Sequence, residues 1–576
     1  MTKGEYLRLN DELNFDFRSR RSVVYGTHGI VSSSQPLACQ AGLEILRKGG
    51  NAADAAVATA AALNVTEPCS CGIGGDCFVL FYNSKTKQVL SLNGSGHSPK
   101  NLTLKKAREI GIHGKSIPYD NINSVTVPGA VAAFIDTLEL FGSKKVSLNE
   151  VLTPAINLAE QGYPVSEIVS NSWIRSENLL KEASANGNDM LRNGKAPKPG
   201  EIMTMPYLAK TLREIVEKGR DGFYKGYVAE AIVQLIQSKG GFMTLEDLEE
   251  HQSTPVQPIS ISYNIDNIEP VRIWECPPNG QGIVALMAIG ILEQMQKQKK
   301  ISSLEKLEHN SAEYLHALIE ALRLAFSDAS YFVSDPDITD VPVEQLLSSD
   351  YLSKRAESFH PTCVNKNLKH GKPVNSSDTV YFSVTDSEGN ACSFIFSNYT
   401  GFGSGAIPDK CGFTLQNRGC GFVLEEGHPN CLEGRKRPYH TIIPSMITYE
   451  NGDLLASYGV MGGFMQPQGH VQVFCNMLHY KMNVQAALDA PRFCIGPNIP
   501  NGTDENCESE VFIEDGICEE VLEKLKSFGH HITLVKGPDR AMFGRGQIIF
   551  KVPNDEDRLV WAAGSDPRAD GHAVGW

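Results

Sequence analysis

Two apolar runs, Val380-Tyr381-Phe382-Ser383-Val384 and Ala391-Cys392-Ser393-Phe394-Ile395-Phe396, flank the turn-forming Asp386-Ser387-Glu388-Gly389-Asn390. Short apolar runs on either side of an Asp/Gly/Asn-rich turn predict an antiparallel β-hairpin. With the turn centred near Glu388, Thr379 falls opposite Ser397, so that two hydroxyls stand side by side at the open end of the hairpin. Thr379 then has two readings. It is an ordinary β-branched strand residue, or, if the chain is cut just before it, a nucleophile whose freed α-amine, with a reference pKa of about 7.7–8.0, is a built-in base.

The remainder of the chain bounds the function. At 576 residues, 41% hydrophobic and 21% charged, it has ample material for a large globular core. A net charge of −14 opposes an electrostatic nucleic-acid binder, which needs clustered Lys and Arg. The basic run Lys297-Gln298-Lys299-Lys300 reads as a solvated helix end. Met1 to Arg21 is polar and carries Glu5, Asp11, Glu12 and Asp16, without the apolar stretch of a signal peptide. Ala52 to Val65 is mostly alanine and contains Asp54, which suits a packed buried helix and not a membrane span. The 14 cysteines include no C-x-x-C pair. The expectation is a soluble, cytoplasmic protein with reduced thiols, no metal, no cofactor, and neither nucleic acid nor membrane as partner.

Along the chain, Ser34 is expected to cap a helix ended by Gly49-Gly50, and a second helix begins near Asn51. Gly72-Ile73-Gly74-Gly75 leads into a buried strand, Phe78 to Phe81. Gly129 to Leu352 reads mainly as helices, with Asn186 to Gly200 as an exposed excursion. Further strands are expected at Thr441 to Thr448, Leu454 to Tyr458, Gly546 to Lys551 and Arg558 to Ala562. The pattern predicts a layered α/β architecture, helix-rich first and strand-rich later.

Asp378-Thr379-Val380-Tyr381-Phe382-Ser383-Val384, with the turn that follows and Phe402-Gly403-Ser404-Gly405, resembles the processing site of gamma-glutamyltranspeptidases. His28-Gly29-Ile30-Val31, Gly49-Gly50-Asn51-Ala52-Ala53-Asp54-Ala55, Gly72-Ile73-Gly74-Gly75, Gly222-Phe223-Tyr224, Gly241-Phe242-Met243-Thr244 and Gly564 to Gly571 are similar to that family in order and spacing. The likeness runs from about Gly26 to the end. It implies one αββα sandwich of the N-terminal-nucleophile hydrolase type, made as a proenzyme. After a polar leader, residues 1–25, autocatalytic cleavage between Asp378 and Thr379 would separate a large chain, 26–378, from a small chain, 379–576. The resemblance makes Thr379 the nucleophile and base, Ser397 its hydroxyl support, and Gly462-Gly463 the oxyanion hole, where close backbone approach favours glycine. It implies a gamma-glutamyl hydrolase or transferase acting on glutathione or related amides, with water or an amine as acceptor and no cofactor.

The family pattern breaks in the pocket. Ser95 stands where family members carry the arginine that grips the substrate α-carboxylate, a task suited to guanidinium geometry. Gly421 stands where an acid takes the substrate amino group, and His440-Thr441 replaces a serine pair. These departures, with Pro277-Pro278-Asn279-Gly280-Gln281-Gly282, Lys436 to Pro444 and Met465-Gln466-Pro467-Gln468-Gly469-His470, resemble a glutathione-hydrolase-like or cephalosporin-acylase-like branch. The expected substrate contacts are His97, Tyr399, Arg418, His440 and Thr441, with Arg418 or His97 as carboxylate ligand. A glutaryl-type amide acylase is the alternative activity, and a scaffold that never matures is a third reading. Gly401-Phe402-Gly403-Ser404-Gly405-Ala406 fits the loose dinucleotide pattern, but Pro408 and the extended Gly412 to Leu415 oppose the helix that a Rossmann loop must open.

Overall fold

Alternation along the hairpin decides the layer order. Val380, Phe382 and Val384 join one buried cluster, whereas Tyr381, on the opposite face of the same strand, joins another with Ile395. In the computed structural model, which describes residues 21–266, 268–366, 378–496, 510–553 and 558–576, this alternation recurs on the neighbouring strand. There Val79 and Phe81 face the first cluster, and Phe78, Leu80 and Tyr82 the second.

Two seven-stranded sheets result. One orders its strands Val24–Gly26, Trp561–Ser565, Arg545–Lys551, Leu454–Met461, Ser445–Tyr449, Val271–Glu275 and Ile259–Tyr263 from edge to edge. The other runs His572–Gly575, Ile30–Ser33, Asp378–Thr385, Ala391–Tyr399, Asp76–Asn83, Gln88–Gly94 and Thr254–Val256. Their facing surfaces enclose Ile30, Phe78, Tyr381, Met446, Ile549 and Trp561. Helices Pro36–Arg47, Ala52–Thr66 and Ala130–Phe141 share the core on the outer face of the second sheet, and Gly282–Lys297, Ala312–Phe332 and Met465–Leu478 that of the first. This is the αββα sandwich, with strands from both halves of the sequence in each sheet.

Local chemistry explains several boundaries. Asn51 caps the Ala52–Thr66 helix in a full capping box with Asp54, and every residue of that helix is buried. In the preceding helix Gln35 occupies the N-cap position without a side-chain capping bond, and Pro36 opens the first turn. Ser34, expected as that cap, turns instead to Glu67, because a buried carboxylate has the greater need of a donor. Residues 254 to 275, expected among helices, form three strands, whose Ile-Ser-Ile-Ser-Tyr and Val-Arg-Ile-Trp-Glu alternation has period two. The strand expected from Thr441 begins only at Ser445, and that expected from Arg558 only at Trp561. Asn186 to Gly200 is less exposed than expected, since Met190 is buried and its carbonyl accepts from Trp173 Nε1 at 2.7 Å. Of the expected leader, residues 1–20 lie outside the described residues. Arg21 donates to the Gly571 carbonyl at 2.7 Å, and Val24–Gly26 is already an edge strand.

The Gly564–Gly571 motif supplies a buried ion cluster. Arg568 joins Asp566 and Glu514, and Arg492 meets Asp566 at 2.7 Å, which ties the small Phe493–Ile495, Glu510–Glu514, His531–Val535 sheet to the sandwich.

Candidate active site

Thr379 and Ser397 meet as the hairpin register requires, with Thr379 Oγ1 3.0 Å from Ser397 Oγ and both residues buried. The regular pairing runs from Thr385↔Ala391 to Val380↔Phe396, and an irregularity follows between Val380 and Asp378. A bulge at the open end re-aims the first residues of the strand. The Asp378 side chain lies outside the described residues. Ser397 Oγ accepts from the Tyr399 N–H at 2.8 Å and from Arg418 Nη2 at 3.3 Å. Either hydroxyl of the Thr379–Ser397 pair can donate to the other.

The glycine pair directly follows the Leu454–Met461 strand of the facing sheet, which packs against the Thr379 strand. Ser383 Oγ lies 2.6 Å from Ser457 Oγ, and a Cβ on Gly459 would fall 2.6 Å from the Tyr381 ring. Continued at the same spacing, these two contacts would set Met461 opposite Thr379, with Gly462-Gly463 next in the chain. Gly462 has φ 130° and Gly463 φ 60°, a backbone that L side chains rarely adopt. On the other side, the Gly72 to Gly75 loop lies against the Ser397 strand, and a Cβ on Gly75 would sit 2.2 Å from the Ser397 carbonyl oxygen.

Arg418 is the charged centre of the site. Its Nη1 donates to Thr441 Oγ1 at 2.7 Å, and its guanidinium carbon lies 4.1 Å from the Tyr399 ring centroid. Tyr399 itself has φ 79°, a strained conformation for a bulky residue. Among the described residues no carboxylate forms an ion pair with Arg418, although it is 1% exposed. Burial lowers its pKa to about 10, against the opposing pull of Tyr399 and Asp76, so it stays cationic at neutral pH.

Asp76 is the nearby acid, and both its oxygens are occupied. Oδ1 accepts from the Gly96 N–H at 3.0 Å, the Gly129 N–H at 3.2 Å and Gln416 Nε2 at 3.0 Å. Oδ2 faces His440 Nε2 at 3.0 Å. Burial raises the Asp76 pKa to about 6, with Arg418 and these donors working the other way. Burial, then Arg418 and Arg437, push His440 well below the ordinary imidazole value, so it is neutral. The Ile442 N–H facing Nδ1 at 3.4 Å fits a proton on Nε2 donated to Asp76.

Of the substrate contacts expected from the sequence, the structure gathers Tyr399, Arg418 and Thr441 around Ser397. His440 is turned to Asp76. His97 belongs to a different neighbourhood, edge-on to His251 at 5.8 Å, and burial with Arg437 and Arg435 lowers its pKa to about 3. Ser95 Oγ donates to Asn93 Oδ1 at 2.7 Å within the protein. A Cβ on Gly421 would meet the Tyr439 carbonyl oxygen at 2.6 Å, so no acid fits there without movement. The sequence reading missed Asp76 and Gln416. The signal for Asp76 was an acid opening the apolar Cys77 to Tyr82 run directly after a glycine loop.

Elsewhere, His316, Glu320 and His530 place possible ligand atoms within 4.8 Å of one another. Their polar atoms are engaged internally: His316 Nδ1 contacts His530 Nε2 at 2.7 Å, His316 Nε2 faces the His360 carbonyl at 2.8 Å, and Glu320 pairs with Arg323. An open cavity of about 450 Å³ near Asn188, Met203 and Tyr207 shares no lining residue with the Thr379 group.

Residues 38–576 match the gamma-glutamyltranspeptidase family model. The chain belongs to the gamma-glutamyltranspeptidase family. It is 38% identical to the glutathione hydrolase-like YwrD proenzyme of Bacillus subtilis strain 168, over 96% of this chain and 99% of that one. Its identity to the glutathione hydrolase proenzyme of the same organism is 30%, over 96% and 92%. The crystal structure of cephalosporin acylase from Bacillus halodurans superposes with a TM-score of 0.86 at 38% identity, covering 99% of each chain. Membership makes the protein an enzyme of the N-terminal-nucleophile hydrolase class and agrees with the αββα layering.

Proposed function

We propose that this chain cuts itself before Thr379 and then acts as an amidohydrolase and acyltransferase on gamma-glutamyl and related amides whose acyl chain ends in a carboxylate. The observation that carries the reading is the Thr379–Ser397–Arg418 array, a hydroxyl pair bridged to a buried guanidinium that has no ion-pair partner among the described residues. In the precursor, Thr379 Oγ attacks the carbonyl carbon of residue 378 and the peptide shifts to an ester. Water then hydrolyses that ester, leaving a carboxyl on the large chain and a free α-amine on Thr379. In the mature enzyme that amine takes the Oγ proton as Oγ attacks the substrate amide. The oxyanion is held by N–H groups of the Gly462-Gly463 turn, the leaving amine departs with a proton, and water or an amine resolves the acyl ester. A denaturing gel tests this directly: purified protein should resolve into two chains, the smaller with Thr379 as its first residue.

A second reading of the acyl group rests on the absence of an available acid. Asp76 has both oxygens occupied and Gly421 offers none, so Arg418 suits a distal carboxylate while nothing in this group is placed to hold an α-ammonium. Glutaryl-type amides fit that arrangement better than gamma-glutamyl ones.

Asp76 gives this reading a pH signature. Protonating it below about pH 6 removes the negative neighbour of Arg418 and strengthens the field felt by a substrate carboxylate. Between pH 7 and 5.5, KM for a glutaryl amide should fall relative to KM for the butyryl amide, which lacks the carboxylate and cancels other titrations. A ratio that stays constant or moves the other way counts against the assignment.

We also infer a cytoplasmic location, a reading that the 14 cysteines without a C-x-x-C pair allow. No helix among the described residues is long and apolar enough to cross a membrane. In its native cells the protein should run at the same mobility before and after N-glycan removal, despite sequons such as Asn398-Tyr399-Thr400.

A further inference from the structure

Three segments far apart in the sequence, 277–282, 436–444 and 462–470, converge on one side chain. Gln281 Nε2 donates to the Thr441 carbonyl at 2.6 Å and to the Gly463 carbonyl at 2.8 Å. Its Oε1 accepts from the Tyr439 hydroxyl at 3.0 Å, and its backbone N–H donates to the His440 carbonyl at 3.0 Å. Gln281 is fully buried, so its amide has no water to fall back on. Every donor and acceptor of this amide group is committed to the walls of the active site.

The two carbonyls belong to different parts of the reaction. Thr441 is the residue whose hydroxyl takes the Arg418 guanidinium at 2.7 Å. Gly463 is half of the positive-φ turn, and its carbonyl, which also accepts from the Gln466 N–H at 3.1 Å, lies in the Gly463–Phe464 peptide, next to the one that carries the Gly463 N–H. A glycine pair is conformationally loose by itself, and an oxyanion donor is effective only when held in place before charge develops. The turn is held from its own side by the Met465 N–H on the Gly462 carbonyl at 3.0 Å. Gln281 is the hold from across the site.

We propose that Gln281 is a positioning residue that couples acyl-carboxylate recognition at Arg418 and Thr441 to the alignment of the Gly462-Gly463 oxyanion turn. The proposal rests on the functional reading above. Its consequence is that a carboxylate seated on Arg418 fixes Thr441, Thr441 fixes the Gln281 amide, and the amide fixes the turn. Binding energy from the far end of the acyl chain is thereby realised in the chemical step and not only in affinity.

The test uses the processed enzyme and a paired set of substrates, glutaryl and butyryl amides of one amine. Gln281→Met keeps the length and volume of the side chain and removes both donors. In wild type, the carboxylate should raise kcat as well as lower KM. In Gln281→Met, kcat for the glutaryl amide should drop about 10- to 100-fold, a smaller loss than deletion of an oxyanion donor because the N–H groups remain but are misplaced. KM should stay within threefold, and the carboxylate should still lower KM while no longer raising kcat. Tyr439→Phe, which removes only the phenol that orients the amide, should shift kcat in the same direction by about three- to tenfold, and it decides the matter if Gln281→Met does not fold. A kcat within twofold of wild type in the folded variant, or a carboxylate advantage in kcat that survives it, overturns the proposal. Arg418→Met in the wild-type background separates the two readings. If it leaves the glutaryl advantage intact, the carboxylate assignment fails. If it abolishes that advantage while Gln281→Met leaves kcat unchanged, the assignment stands and the coupling fails.

Discussion

Thr379→Ala should leave a single chain of full length with no measurable amidase activity. Both losses have one cause, since alanine provides neither the hydroxyl for the N→O acyl shift nor the nucleophile for the substrate. Loss of a nucleophile in such an array costs roughly 10⁴-fold or more in kcat. The fold should survive, because the substitution removes only the hydroxyl that faces Ser397 and one methyl at the start of the strand, with Val380 and Phe382 untouched in the core. Thr379→Ser separates the two functions: it should cut and turn over, more slowly, since it keeps the hydroxyl and loses the β-methyl that restricts χ1. N-terminal sequencing of the small chain and kcat on any accepted amide are the measurements. An intact chain of the native protein that is nonetheless fully active would remove the basis for the mechanism.

The hairpin was legible in the sequence because its information is local. Alternation and turn chemistry between residues 380 and 396 are enough to place two hydroxyls together, and the observed 3.0 Å contact follows from that register. The capping box at Asn51 was legible for the same reason. What escaped the reading is non-local. Asp76 gains its meaning from N–H groups of Gly96 and Gly129 and from side chains more than 300 residues away, Gln416 and His440. Gln281 was visible only as part of a motif, and its role needs the carbonyls of Thr441 and Gly463. His97 is the converse case. A histidine beside a family motif invites a ligand role, yet it stands edge-on to His251, and burial, then Arg437 and Arg435, keep it neutral. Ser34 failed as a cap because a buried carboxylate 33 residues later outbid the helix terminus for its hydroxyl.

The largest substrate effect expected is at Arg418. A fully buried guanidinium with one ring face on Tyr399 and two hydroxyl partners is preorganised, and those hydroxyls do not neutralise its charge. A substrate carboxylate would supply the missing partner, and truncating one side of such a pair costs about 2–5 kcal/mol, or roughly 30- to 5,000-fold in kcat/KM. Arg418→Ala should therefore depress kcat/KM for a glutaryl amide by two to three orders of magnitude. The butyryl amide should lose much less, through the Ser397 hydroxyl contact alone. The gamma-glutamyl amide carries the carboxylate and an α-ammonium. The ammonium must be desolvated beside a cation with Asp76 already committed, so its kcat/KM in the native enzyme should lie below that of the glutaryl amide. The experiment is the three-substrate comparison on cleaved wild type and Arg418→Ala, with cleavage checked on the same preparations. A strong preference for the gamma-glutamyl amide that persists in Arg418→Ala would mean that other residues grip the amino-acid head group, and the assignment of this pocket to an amino-free acyl chain would have to be abandoned.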